Sequence, residues 1–134
     1  MAITYSTLKR PSVAAIQRLY AFAHWAEHRK APDIARMLSN TPLFFTAWEK
    51  GKLVGMARAG TDFAFRAVLW DVIVDPAVAG RGVGTRLVNS FLKHPRLKSV
   101  ETFWLSTTDK HRFYQRFGFK LNQKNIMVYK RARR

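Results

Sequence analysis

A chain of 134 residues with 48% hydrophobic residues is long enough for a real core and too apolar for general disorder. The absence of cysteine excludes disulfides, thiol catalysis and cysteine-ligated metals, and 24 Lys and Arg against 8 acids give a formal charge of +16. That surplus forecasts attraction to polyanions, but it is scattered along the chain and clusters only at Lys130-Arg131 and Arg133-Arg134, so no sequence-reading nucleic-acid groove is indicated.

Residues 1–134 read as one domain. Residues 2–8 alternate like a first strand and lack the apolar core of a signal peptide, and no apolar run approaches the ~20 residues of a membrane span. A soluble, cytoplasmic protein without a membrane partner is expected, as monomer or homodimer. Ser12 can cap a helix whose stripe is Val13, Ile16, Tyr20 and Ala23. At its end, His24-Trp25-Ala26-Glu27-His28 matches the HxxEH pattern of one zinc-peptidase group, but no third ligand accompanies it; a solvated helix end is expected, with no metal. Pro32-Asp33 begins a second short helix running through Leu38. Leu43–Glu49 and Lys52–Ala59 read as a hairpin turning at Lys50-Gly51, with Asp62 just beyond it.

From Val68 to Val74 the chain is apolar and β-branched except for Asp71, as a strand covered on both faces should be. Asp75-Pro76 stops it. Gly80-Arg81-Gly82-Val83-Gly84-Thr85 follows, and then Leu87, Val88, Phe91 and Leu92 fall on one face of a helix. Alternate glycines let a backbone approach a ligand, and the helix start aims free N–H groups at it, which suits a phosphate. The string is neither a P-loop nor a GxGxxG dinucleotide fingerprint. Val100–Ser106 is a further strand, Asp109–Phe117 a short helix ended by Gly118, and 119–122 with 126–130 a last strand pair.

The glycine turn after a long strand resembles the [QR]xxGx[GA] signature of the GCN5-related N-acetyltransferases (the GNAT superfamily), with Ala79 where that family usually has Gln or Arg. Phe113-Tyr114-Gln115-Arg116-Phe117-Gly118-Phe119 is similar to the family's late xYxxxGF motif. Gly55–Ala59, Thr61-Asp62 and Trp70-Asp71-Val72 resemble a narrower group that includes plastid and cyanobacterial serotonin N-acetyltransferases. The resemblance implies an α/β (α+β) fold with a mixed, mostly antiparallel central sheet of about six or seven strands and about four helices. It also implies acetyl-CoA as cofactor. Ala79, Gly80, Arg81, Gly82, Val83, Gly84, Thr85 and Arg86 would hold the pyrophosphate, with Arg81 or Arg86 free to reach it. Val72, Ile73 and Val74 would flank the pantetheine arm, one of their N–H groups facing the acetyl oxygen.

Acetyl transfer to an amine needs a held donor, a neutral amine, a stabilised oxyanion and a protonated leaving thiolate. Tyr114 suits the last task as general acid. Asp71, the lone acid of the strand, is either a catalytic group that orients or deprotonates the amine or a structural acceptor. Thr107 stands where relatives often carry Asp or Asn. Trp70, Asp71 and Asp62 are the expected acceptor-binding residues, and the expected acceptor is a small arylalkylamine such as serotonin or tryptamine. Protein amines, a polyamine, or a non-catalytic relative that only binds acetyl-CoA are the alternatives.

Overall fold

The structure, a computed structural model, describes residues 2–132. Strands β1 (Thr4–Ser6), β2 (Leu43–Glu49), β3 (Lys52–Thr61), β4 (Arg66–Val74) and β5 (Thr102–Leu105) form one sheet in chain order. The first four are antiparallel to their neighbours, and β5 runs parallel to β4. Helices α1 (Val13–Tyr20) and α2 (Ala31–Asn40) cover one face, and α3 (Val83–Leu92) packs on the other beside the short α4 (His111–Gln115).

The two faces follow from the period of each strand. Ala57 and Ala59 of β3 face the α3 side with Leu87, Val88 and Phe91, whereas Met56 faces Ile16, Leu19 and Ile34 of the first two helices. Ser12 starts α1 by accepting the Ala15 N–H at 3.1 Å. Lys50 and Gly51, at φ 52° and 76°, make the tight β2–β3 turn whose two left-handed residues match strand twist. Phe45 and Phe91 meet edge to face at 6.0 Å, fixing α3 against the sheet. Closer to the helix start, a Cβ on Gly55 would lie 2.7 Å from the Val83 Cγ1, so glycine is what lets α3 seat there.

Three expectations need correction. The sheet has five strands rather than six or seven, because residues 119–132 carry only a 3-10 turn at Gln123–Asn125, and 119–122 and 126–130 do not pair. Ile126, Met127, Val128 and Tyr129 are exposed; strand propensity expresses packing on a half-buried surface, and this segment meets none. Helix α1 ends at Tyr20, so Ala23 and the His24–His28 stretch lie in a run of turns rather than on a helix. The last helix is shorter than Asp109–Phe117 at both ends.

Asp75 ties the sheet to the glycine turn. Its N–H donates to the Val54 carbonyl, its Oδ1 accepts from the Ala77 N–H at 2.9 Å, and its Oδ2 pairs with the Arg18 guanidinium. Arg18 in turn donates to the Leu53 carbonyl at 3.0 Å, joining α1 to the same corner. Burial raises the Asp75 carboxyl, but the Ala77 N–H, Arg18 and Lys52 outweigh it and hold the group below the ordinary carboxylate range. Its stabilisation is therefore complete above the unfolded carboxylate value and is lost as pH falls through the lower folded one. We predict that Asp75→Asn costs about 2 kcal/mol at pH 7, a discounted figure because Arg18 is partly exposed. Thermal melts from pH 3 to 7 should show parent and variant converging at the acid end.

Candidate active site

Strand β4 is the floor of the candidate site. It pairs with β3 along its length but with β5 only over residues 66–69, matched to 102–105. Among the described residues, 70–74, which include Val72, Ile73 and Val74, thus present an open backbone edge on the β5 side. The same stretch is irregular on its β3 side. Met56 faces Ile73 and Arg58 faces Trp70, so the single Ala57 opposes both Asp71 and Val72. Asp71 is the extra residue, at φ 54°, a conformation rare outside glycine.

What holds it there is its side chain. Oδ2 of Asp71 accepts from Tyr20 Oη at 2.8 Å, Arg29 Nη1 at 2.8 Å and Arg58 Nε at 2.7 Å. These donors come from α1, the following turns and β3. Burial, then Asp71 itself, pushes the Tyr20 phenol to about 12, so it serves as a neutral donor. Arg29 is raised against the opposing effect of burial, chiefly by Asp71. Its guanidinium also lies over the Tyr20 and Trp25 rings, at 4.9 and 5.5 Å. Tyr20, Arg29 and Arg58 were invisible as site residues in the sequence. A lone acid in a strand implies a cation, but 24 candidates carry no mark of which one.

At the C-terminal end of β4 the glycine turn forms as expected. Gly80 and Gly82 are left-handed at φ 79° and 76°, and Gly82 caps α3. The first bond into the helix is Arg86 N–H to the Gly82 carbonyl. The N–H groups of Val83, Gly84 and Thr85 find no protein acceptor among the described residues. A Cβ on Gly80 or Gly82 would meet nothing within 4 Å. A cleft of about 370 Å³ lies there, bounded by Val74, Gly82, Gly84, Thr85 and Phe113. A second cleft of about 500 Å³ continues from Thr85 along Asn89, Lys93 and Arg116. This shape and donor set fit a long phosphorylated cofactor.

The arginines of the turn are not idle. Arg81 pairs with Glu49 at 2.8 Å, and Arg86 lies over the Tyr5 ring at 4.5 Å, so neither is the unengaged cation expected. Ala79 ends the 3-10 turn Pro76–Val78. Helix α4 reaches the turn through Phe113, whose ring is 3.4 Å from the Gly84 Cβ position. Tyr114 stacks edge to face on Phe113 and Phe119, at 4.9 and 6.1 Å. Burial alone raises its phenol to about 12. Trp70 lies exposed over Gly60, whose Cβ position is 3.5 Å from its indole nitrogen. Asp62 is not brought to this group. It caps its own turn by accepting from the Ala64, Phe65 and Arg66 N–H groups, which lower its carboxyl, and stands before the start of β4. The glycine turn lies a strand length away, roughly 25 Å at about 3.3 Å per residue.

Residues 10–119 match the profile of the family described as "Acetyltransferase (GNAT) family". The chain is 34% identical over 79 residues to a protein of Glycine max named histone acetyltransferase TAP1, covering 58% of this chain and 34% of that one. It is 34% identical over 86 residues to serotonin N-acetyltransferase 2, chloroplastic, of Oryza sativa subsp. japonica, covering 62% and 43%. It thus spans about a third to under a half of the length of these curated relatives. A crystal structure from Xanthomonas campestris pv. campestris, assigned to the GNAT family, superposes with a TM-score of 0.86 at 28% identity, covering 97% of this chain and 94% of that one. The open β4 edge, the glycine turn and these matches agree: the chain belongs to the GNAT family of acetyltransferases, enzymes that use acetyl-CoA.

Proposed function

We propose that this chain moves the acetyl group of acetyl-CoA directly to the primary amine of a small arylalkylamine, with Tyr114 as general acid. The observation that carries the reading is the union, among the described residues, of three N–H donors without a protein acceptor at the α3 start and the open edge of β4. Acetyl-CoA supplies an activated thioester when bound. The glycine turn and the N–H groups of residues 83–85 hold the pyrophosphate, while Lys93 and Arg116 offer cations along the adjoining cleft. An N–H group among Val72, Ile73 and Val74 donates to the acetyl oxygen, where negative charge develops as the amine attacks.

Tyr114 gives its hydroxyl proton to the departing sulfur. A phenol near 12 is a weak acid, but the burial that raises it penalises a thiolate in the same place, so the two affinities rise together. Asp71 is a positioning residue in this scheme. Its one engaged oxygen already accepts from three donors, and taking the amine proton there means loosening two ion pairs. It holds the bulge, and the amine proton leaves to water. Asp62 acts as a turn cap.

Two features favour a small aromatic acceptor over a protein lysine. Trp25 and Trp70 are exposed on the side of the sheet where Asp71 is anchored. A body of formal charge +16 repels a lysine-rich peptide on approach but touches a monoamine only lightly. The name of the Glycine max relative keeps the lysine reading in the test.

Thiol release with tryptamine, spermidine and a lysine peptide, compared by kcat/KM at moderate salt, should favour the aromatic amine by about tenfold or more. A peptide or polyamine winning by that margin overturns the acceptor assignment. Tyr114→Phe keeps the ring and should lower kcat by about 10²-fold, with little change in KM for acetyl-CoA. Because the parent phenol stays protonated to about 12, the parent rate should rise as the amine deprotonates and show no fall between about pH 8 and 10. Unchanged turnover in the variant reduces Tyr114 to packing.

A further inference from the structure

We infer that the acceptor carries a carboxylate beside its aromatic ring, which makes it an aromatic amino acid rather than a simple monoamine. This rests on the acetyltransferase reading and names the acceptor class of the same site. The carrying observation is a charge imbalance. Arg29 and Arg58 share the one carboxylate of Asp71, and Tyr20, the third partner, adds a hydroxyl and no charge. The remaining ion pairs among the described residues, Arg18–Asp75, Arg36–Asp33 and Arg81–Glu49, involve neither arginine. Two guanidinium charges therefore face one carboxylate.

On an open surface such a surplus is simply hydrated and carries no information. Here it is not open. The Arg58 side chain is 20% exposed and that of Arg29 is 31%, while Asp71 is 4%. Part of the hydration of both cations has been removed, and an anion arriving from the solvent side recovers what was lost. Arg58 engages the protein through Nε only among the described residues, which leaves its two terminal nitrogens as a fork matched to a carboxylate.

The aromatic surface adjoins the same cations. Arg58 stands opposite Trp70 in the β3–β4 register, so the two side chains leave one face of the sheet. Arg29 lies over the Trp25 ring, and both indoles are about two-fifths exposed. A protonated monoamine brings a third cation to this place. An amino acid brings the same ring and amine together with the missing negative charge. The specificity determinants assigned here are Arg29 and Arg58, with Trp25 and Trp70 as the stacking faces.

The test compares pairs that differ only in the carboxylate, on the full chain in the presence of coenzyme A and at about 0.15 M salt, where diffuse attraction is screened beyond about 8 Å. Calorimetry measures N-acetyl-L-tryptophan against N-acetyltryptamine, and thiol release measures L-tryptophan against tryptamine by kcat/KM. The acid-bearing member should be favoured about tenfold or more in both. Its advantage should fall toward parity in Arg58→Gln and in Arg29→Gln, and Arg58→Lys should keep part of it. Melting temperatures report whether each variant is folded, and the parent comparison decides even where a variant is not. Equal or reversed preference in the parent overturns the inference while leaving arylalkylamine transfer standing. A preference that survives loss of either arginine in folded protein also overturns it. If no amine releases thiol but the arginine-dependent binding preference is present, the transfer reading fails and the carboxylate site stands.

Discussion

Three donors from separate parts of the chain converge on Oδ2 of Asp71, and that convergence fixes where β4 departs from regular pairing. Holding an aspartate at φ 54° costs about 1–2 kcal/mol. Hydrogen bonds to charged groups contribute about 1.5–3 kcal/mol each once desolvation is counted, so three of them exceed that backbone cost. The consequences run outward from there. The bulge leaves Ala57 opposite two residues and turns Trp70 and Asp71 toward the helices α1 and α2, while Val72 packs on the α3 side. It begins where pairing with β5 stops, so the anchored kink and the open edge coincide.

The glycine turn is held by a different set of contacts. Gly55 allows Val83 close to β3, Asp75 ties the turn's entry to Val54 and Arg18, and Phe113 closes against Gly84. The glycine turn is thus supported by α3 and the Asp75 corner and the bulge by the Asp71 cluster, with α1 reaching both through Arg18 and Tyr20. A body of formal charge +16 attracts anionic ligands such as a phosphorylated cofactor.

Much of this was legible in the sequence where the signal is local. The hairpin at Lys50-Gly51, the amphipathic α3 and the glycine-rich turn before it follow from residue type and period over a few positions. Asp71 was conspicuous as the one acid in an apolar strand, but its partners lie 51, 42 and 13 residues away, and nothing local selects Arg29 or Arg58 among so many cations. Asp62 was singled out because the string around it resembles a narrower group; its Oδ1 accepts three N–H groups of its own turn, which no local pattern announced. The pattern at 126–130 promised a strand, yet alternation supplies only half of a pairing, and the sheet ends at β5 without it. The bulge itself had no sequence mark, since its φ suits glycine and the residue is not one.

Amide hydrogen exchange with and without acetyl-CoA reads the β4 edge and the α3 start separately, by position. Saturating acetyl-CoA should slow exchange about tenfold or more at residues 72–74 and 83–85, with β1 and β2 little changed. A ligand that raises the melting temperature while leaving both stretches at their free rates contradicts the account, since the cofactor is then held somewhere other than the β4 edge and the α3 start.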